Sequence, residues 1–222
     1  MKVSHAYPNY RFEMAPPLRL PPARHRTHLP FPQATTTHHL YAAEMSSIQT
    51  TIAPYDQSVV CEKHLLSESE LDQAIQTASA AQKSWAKVPV DERVAIITKW
   101  MGILDADKEQ LGKELSAQMG RPVGQCAGEI KGALQRCRYL CKVAKNCLAD
   151  SPQTETETPN LRLTIRREPF GVVAIVTPWN YPYLTTVNGL ITALLAGNAV
   201  VLKPSPQTPL TAESFQRTLE AA

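Results

Sequence analysis

The chain has 222 residues, 43% of them apolar, and a formal net charge of +3 at pH 7. That length can bury a sizeable core in one or two domains, and the apolar share is that of an ordinary globular protein. No stretch approaches the ~20 unbroken apolar residues of a membrane span. Five of the 23 basic and two of the 20 acidic residues precede Met45, so the remainder is balanced at 18 of each sign. A neutral body argues against a broad nucleic-acid surface.

Residues 1–44 carry seven of the 18 Pro and five of the six His. The Pro residues interrupt any helix and no apolar period emerges, so the segment reads as a disordered leader. An organelle transit peptide is a competing reading, because the segment is Arg-bearing and poor in acids. Translation starting at Met45 is another. From Ile48 to Leu66 the pattern is mixed, with Ser58-Val59-Val60-Cys61 suited to a short strand.

Ser67-Glu68-Ser69-Glu70 is a capping box and predicts a helix behind it, with Leu71, Ala74, Ile75, Ala78 and Trp85 near one face. A second helix opens at Asp91-Glu92, whose charges suit a helix N-terminus, and carries Val94, Ile97, Met101 and Leu104 inward. A third holds Leu111 and Leu115 and stops at Gly120-Arg121-Pro122. In the fourth, Ile130, Leu134, Cys137, Cys141, Ala144 and Leu148 form an apolar stripe expected to pack on the domain's own sheet, with Cys126 ahead of the helix. Ser151 to Asn160 reads as an exposed loop. Leu161, Leu163 and Ile165 alternate with polar residues as in a half-buried strand.

The five Cys are odd in number and mostly helical in setting, which suits reduced thiols in an intracellular protein. Cys137 and Cys141 share a helix face and could bind a metal, but no His lies near them. Core thiols are the preferred reading, and no metal site is expected.

The last section reads strand (172–176), turn, helix (about 184–195), strand (199–202), turn, helix (from 208). This is a βαβα series, hence a right-handed crossover in a parallel sheet with buried strands. Ligands bind at the carboxyl ends of such strands. There stand Thr177-Pro178-Trp179-Asn180-Tyr181-Pro182 after the first strand and Lys203-Pro204-Ser205-Pro206 after the second.

The segments Glu168 to Pro182 (EPFGVVAIVTPWNYP) and Leu194 to Glu213 (LLAGNAVVLKPSPQTPLTAE) resemble the aldehyde dehydrogenase superfamily. Weaker similarity reaches back to about Leu66. The resemblance implies a partial Rossmann-like parallel sheet of the cofactor-binding domain with an amino-terminal helical layer. The expected layout is a leader at 1–44 and an incomplete NAD(P)-binding domain at 45–222. Within that domain a helical layer spans 66–149, a strand arm 161–168 and the βαβα series 171–222.

The same resemblance implies oxidation of an aldehyde to a carboxylic acid with NAD or NADP, through a thiol nucleophile whose thiohemiacetal oxyanion needs fixed donors. Asn180 takes the place of the family's oxyanion donor. Its bland alternative is a turn residue or the cap of the next helix. Val176, Thr177, Pro178 and Trp179 take the places that line the cofactor cleft. Lys203 matches the Lys that bonds the adenosine ribose, with Ser205 and Pro206 following it. Relatives commonly carry a Glu three residues after that Lys, where this chain has Pro206. The missing carboxylate removes a repulsion against a 2′-phosphate, so NADP is expected to be tolerated. The Gly-bearing phosphate turn, the Glu base and the Cys nucleophile are expected beyond residue 222, leaving this chain inactive alone. A non-catalytic interaction or dinucleotide-binding module is the alternative. The complete enzyme is expected to be a homo-oligomer, partly through the arm, and cytoplasmic, with mitochondrial targeting by the leader as the alternative.

Overall fold

The computed structural model describes residues 48–153 and 163–222. Two antiparallel strands, β1 (Ile48–Ile52) and β2 (Val59–His64), form a hairpin. Four helices follow: α1 (Glu68–Trp85), α2 (Val90–Ala106), α3 (Lys108–Met119) and α4 (Val123–Leu148). A short ribbon pairs β3 (Ser151–Gln153) with β4 (Leu163–Ile165). Then come β5 (Val172–Val176), α5 (Pro182–Leu195), β6 (Ala199–Lys203) and α6 (Leu210–Glu220). β5 and β6 pair in parallel, from Val172 opposite Ala199 to Val176 opposite Lys203.

Local signals in the sequence set most of these bounds. Ser67 caps α1, with its hydroxyl accepting from the Glu70 N–H while Glu70 accepts from the Ser67 N–H at 2.8 Å. Gly120 ends α3 in the left-handed region, at φ 76°. Only a residue without Cβ takes that conformation cheaply, and it turns the chain so that Pro122 can start α4. The short strand expected at 58–61 is found as β2, and the four helices and the parallel pair are found as well.

The core lies among the helices. Trp100 and Leu104 of α2, Leu111 and Leu115 of α3, and Ile130 and Leu134 of α4 are all fully buried. Tyr183, Val187 and Ile191 of α5 and Phe215 of α6 close it. One face of the β5–β6 pair rests on α5. Gly189 lets that helix approach closely, since a Cβ there would sit 3.1 Å from Ile175 Cδ1.

Several expectations need correction. The α4 stripe packs on α2, α3 and α5, not on the sheet. α5 already covers the sheet face, so α4 forms the layer behind it. Cys126 lies inside α4 and is buried, because the helix starts at Val123, directly after Pro122. The stripe of α1 is largely open, with Leu71 and Ile75 exposed and no buried residue in the helix. The helix still lies against β5 and β6, and its last turns are bonded down: Trp85 Nε1 donates to the Leu194 carbonyl at 2.9 Å and Gln82 to the Gly197 carbonyl at 3.0 Å. Ser151 to Gln153 is strand rather than loop, because its backbone pairs with β4. Leu163 and Ile165 are exposed rather than half-buried, since no further layer covers this ribbon among the described residues. β5 and β6 are half-buried rather than buried, and Val176 is 74% exposed. α5 and α1 both lie against the pair, but neither covers it fully. The expected leader at 1–44, residues 154–160 of the expected loop, and Leu161 lie outside the described residues.

Candidate functional site

The site lies at the carboxyl ends of β5 and β6. Thr177 is buried, and its N–H donates to the Lys203 carbonyl at 3.1 Å, extending the ladder one step past β5. The chain then leaves the sheet through Pro178, Trp179 and Asn180, all exposed. Trp179 is 52% exposed. Because Val176 faces Lys203 across the ladder, the two turns open side by side. Val176 and Lys203 share one face of the pair, an exposed apolar residue beside an exposed cation. Lys203 Nζ rests on the Pro204 carbonyl at 3.0 Å.

The second turn is braced from the hairpin. Gln49 Nε2 and Thr51 Oγ1 both donate to the Pro206 carbonyl, at 2.6 and 3.1 Å. Ser205 is half-buried; its hydroxyl accepts from the Gln207 N–H at 3.3 Å. Between hairpin and turns lies a cleft of about 500 Å³, lined by Ile52, Pro54, Gln57, Met119, Trp179 and Gln207. Trp179 thus reaches a cavity, while Asn180 and Lys203 stand outside its lining.

Asn180 is not a helix cap. The N-cap of α5 is Tyr181, and no side chain of the cap residue bonds the helix. The first amides of α5 are satisfied from another element. Glu129 of α4 accepts from the Tyr183 N–H at 2.8 Å and the Leu184 N–H at 3.3 Å. The same carboxylate pairs with Arg121, and the other arm of that guanidinium donates to the Asn180 carbonyl. The guanidinium also lies 4.5 Å from the centre of the Tyr181 ring.

Sequence reasoning missed both members of this pair. Arg121 was masked by its role in a helix stop. Glu129 had a usable signal: it sits between Cys126 and Ile130 on the apolar face of α4, and a carboxylate there requires a partner.

Cys126 Sγ lies 3.7 Å from the Arg121 carbonyl, and among the described residues no thiol is bonded to the turn residues. Cys126 and Cys137 are buried, and burial raises both; Cys137 is pushed up to about 12. Burial raises Cys141 as well, and Cys147 is exposed. Among the described residues no group of three or more His, Cys, Asp or Glu could hold a metal. Alkylation with iodoacetamide at pH 8 is expected to label Cys147 first and leave Cys137 unmodified in the folded chain, because only a thiolate reacts. Peptide mass spectrometry reads the order. Early labelling of Cys137 would show that α4 opens in solution.

Residues 41–222 match the model of the aldehyde dehydrogenase family. The chain belongs to this family. Among curated relatives, 3,6-anhydro-alpha-L-galactose dehydrogenase of Streptomyces coelicolor is 32% identical over 171 residues, covering 77% of this chain and 34% of that protein. The crystal structure of an aldehyde dehydrogenase from Brucella melitensis biovar abortus superposes with a TM-score of 0.75 at 28% identity, covering 78% of this chain and 36% of that one. An NADP-dependent glyceraldehyde-3-phosphate dehydrogenase from Bacillus halodurans, solved with NADP, gives a TM-score of 0.73 at 28% identity, covering 78% and 37%. The chain spans about a third of the length of these aldehyde dehydrogenase relatives. Its mixed helix–strand architecture with a parallel strand pair is the family's α/β fold. None of the described helices is long and apolar enough to cross a membrane.

Proposed function

We propose that the chain supplies the cofactor-side wall and one oxyanion donor of an NAD(P)-dependent aldehyde dehydrogenase, which oxidises an aldehyde to a carboxylic acid. The parallel register of β5 and β6, with Val176 opposite Lys203, carries this reading. It puts the Pro178–Asn180 turn and the Lys203–Pro206 turn at one sheet edge.

The residues at that edge fit the ribose end of a dinucleotide. Lys203 is an exposed cation beside an exposed apolar Val176, a donor next to a surface on which a base or sugar can lie. Pro206 leaves no carboxylate to oppose a 2′-phosphate, and its carbonyl is occupied by the hairpin. The dinucleotide, when bound, supplies the hydride acceptor. Lys203 binds its ribose hydroxyls; Val176, Thr177, Pro178 and Trp179 form the wall beside it; Ser205 and Pro206 shape the turn.

Asn180 has a different task. Its carboxamide donates to the oxyanion that forms when a thiolate adds to the aldehyde carbon. A neutral amide does this without changing protonation, and a fixed donor is worth most where charge develops. In this reading the nucleophile is none of the five thiols, since the motif segments 168–182 and 194–213 contain no Cys. The 222-residue chain alone accordingly shows no turnover, which an assay over several aldehydes with either cofactor checks. Part of the proposal is a homo-oligomer that uses the exposed β3–β4 ribbon, where Leu163 and Ile165 are open. A cytoplasmic location is a further part.

The cofactor reading is tested by calorimetric titration of the chain with NAD+ and NADP+. The two dissociation constants are expected within about a hundredfold of each other, and Lys203→Met to weaken both by about tenfold, the worth of one charge-assisted hydrogen bond. Equal binding by wild type and Lys203→Met, or a preference for NAD+ beyond that span, would falsify the assignment.

A further inference from the structure

Glu129 and Arg121 are almost fully inside the protein, with side chains 1% and 12% exposed. A buried ion pair is weak support for stability, because desolvating two charges offsets much of their attraction. Two apolar residues would fill this space at least as well. What apolar residues cannot do is hold oriented polar atoms, and every polar contact of this pair is spent on one short segment.

On one side of the segment, Arg121 donates to the carbonyl of Asn180 and lies over the ring of Tyr181. On the other, one Glu129 oxygen takes the amides of Tyr183 and Leu184, and its second oxygen takes Arg121. Three donors thus occupy most of the carboxylate's acceptor sites. The pair is itself anchored. The Arg121 carbonyl accepts from Ser116 Oγ at 2.7 Å, and Gly120, left-handed, aims Arg121 back toward the turn.

We infer that the Arg121–Glu129 pair is a positioning device for Asn180: one arm grips its carbonyl, the other pins the first turn of α5, and the carboxamide between them is held in one place. The inference rests on the reading of Asn180 as an oxyanion donor and deepens it. Neither member touches substrate; both act through the backbone of residues 180–184. The benefit is catalytic rather than adhesive, since a donor displaced by about 1 Å loses much of its effect.

The test is a set of 15N–1H spectra and amide exchange rates on the 222-residue chain. Its three Trp give three indole signals, of which Trp179 reports the turn and Trp100, bonded to Thr218 at 2.9 Å, reports the core. Arg121→Lys keeps the charge beside Glu129 but loses the second arm. It is expected to move the Trp179 indole and the Asn180 side-chain amide while leaving Trp100 in place. Glu129→Gln is expected to speed exchange at Tyr183 and Leu184 by about tenfold or more, with the α2 amides unchanged. Unmoved Trp179 and Asn180 signals in Arg121→Lys overturn the inference. So does an equal shift of Trp100, or unfolding of that variant, because either makes the pair a general core support. Adding NADP+ to the wild type separates the two claims. No response at Lys203 removes the cofactor reading and leaves the result on the clamp intact.

Discussion

Replacing Trp100 with Ala lowers the stability of the chain by about 3–5 kcal/mol, the usual cost of deleting a fully buried large aromatic. Trp100 is completely buried, and its ring centre lies 6.0 Å from that of Phe215. Phe215 in turn lies 5.4 Å from Tyr183. This aromatic row joins α2, α6 and α5. It also carries α6, whose N-cap Pro209 offers no side-chain bond to the helix. The indole N–H donates to Thr218, whose hydroxyl donates on to the Ser214 carbonyl at 2.7 Å. Trp100→Phe keeps most of the volume and leaves Thr218 a partner for its own proton. It is expected to cost less than half as much, about 1–2 kcal/mol. Urea unfolding measures both, with a lowered midpoint and an unchanged slope. Against a total of about 5–15 kcal/mol, the Ala variant is close to unfolding. A loss under about 1 kcal/mol would mean that α6 does not rest on α2 in solution.

The readable parts of this fold were those with a local cause. Ser67 and Glu70 lie three residues apart and satisfy each other. Gly120 ends a helix through its own backbone. The runs at 172–176 and 199–203 are β-branched and bounded by Gly and Pro, which is enough to make them strands. The βαβα order, together with the resemblance, placed them in one parallel sheet, and the pairing of Val176 with Lys203 bears out that much. What stayed hidden depends on partners distant in sequence. The apolar stripe of α4 shows that the helix packs, but not on what; the answer depends on α5 having taken the sheet face. The open stripe of α1 shows the converse, because amphipathic spacing does not supply a surface to bury against. The bond from Gln49 to the Pro206 carbonyl joins residues 157 apart, and the one from Glu129 to Tyr183 joins residues 54 apart. No local pattern announces either. At the candidate site, the motifs pointed to the edge where Asn180 and Lys203 stand. They did not reveal what holds that edge still.

Part of what holds it is Asn198, and Asn198→Asp is expected to be strongly destabilising near neutral pH and mild in acid. Asn198 is 3% exposed and sits between the end of α5 and the start of β6. Its Oδ1 accepts from the Gly171 N–H at 3.0 Å, and its Nδ2 donates to the Ala193 carbonyl at 3.2 Å. Gly171 and Gly197 on either side of this junction have φ of 114° and 88°, so the backbone there is already committed to conformations that favour Gly. The Asn198 side chain thus ties the entry of β5 to the entry of β6, five residues ahead of Lys203. In the Asp variant, an ionised carboxylate would keep the Gly171 bond but press a charged oxygen against the Ala193 carbonyl in a buried place. That costs about 3–4 kcal/mol. A protonated carboxyl can donate to the same carbonyl and restores most of the loss. The folded state therefore favours the proton, and the folded pKa lies above the unfolded value of about 3.9. Stability of this variant is near wild type below that unfolded value and is lost as pH rises through the folded pKa. Asn198→Ala separates charge from bonding, leaving the Gly171 N–H unpaired at a cost of about 2 kcal/mol that does not depend on pH. Urea titrations of both variants at pH 4 and pH 7 read the difference. Equal losses for Asn198→Asp at the two pH values would show that water reaches this junction, and with it that the two strand entries are held by the ladder alone.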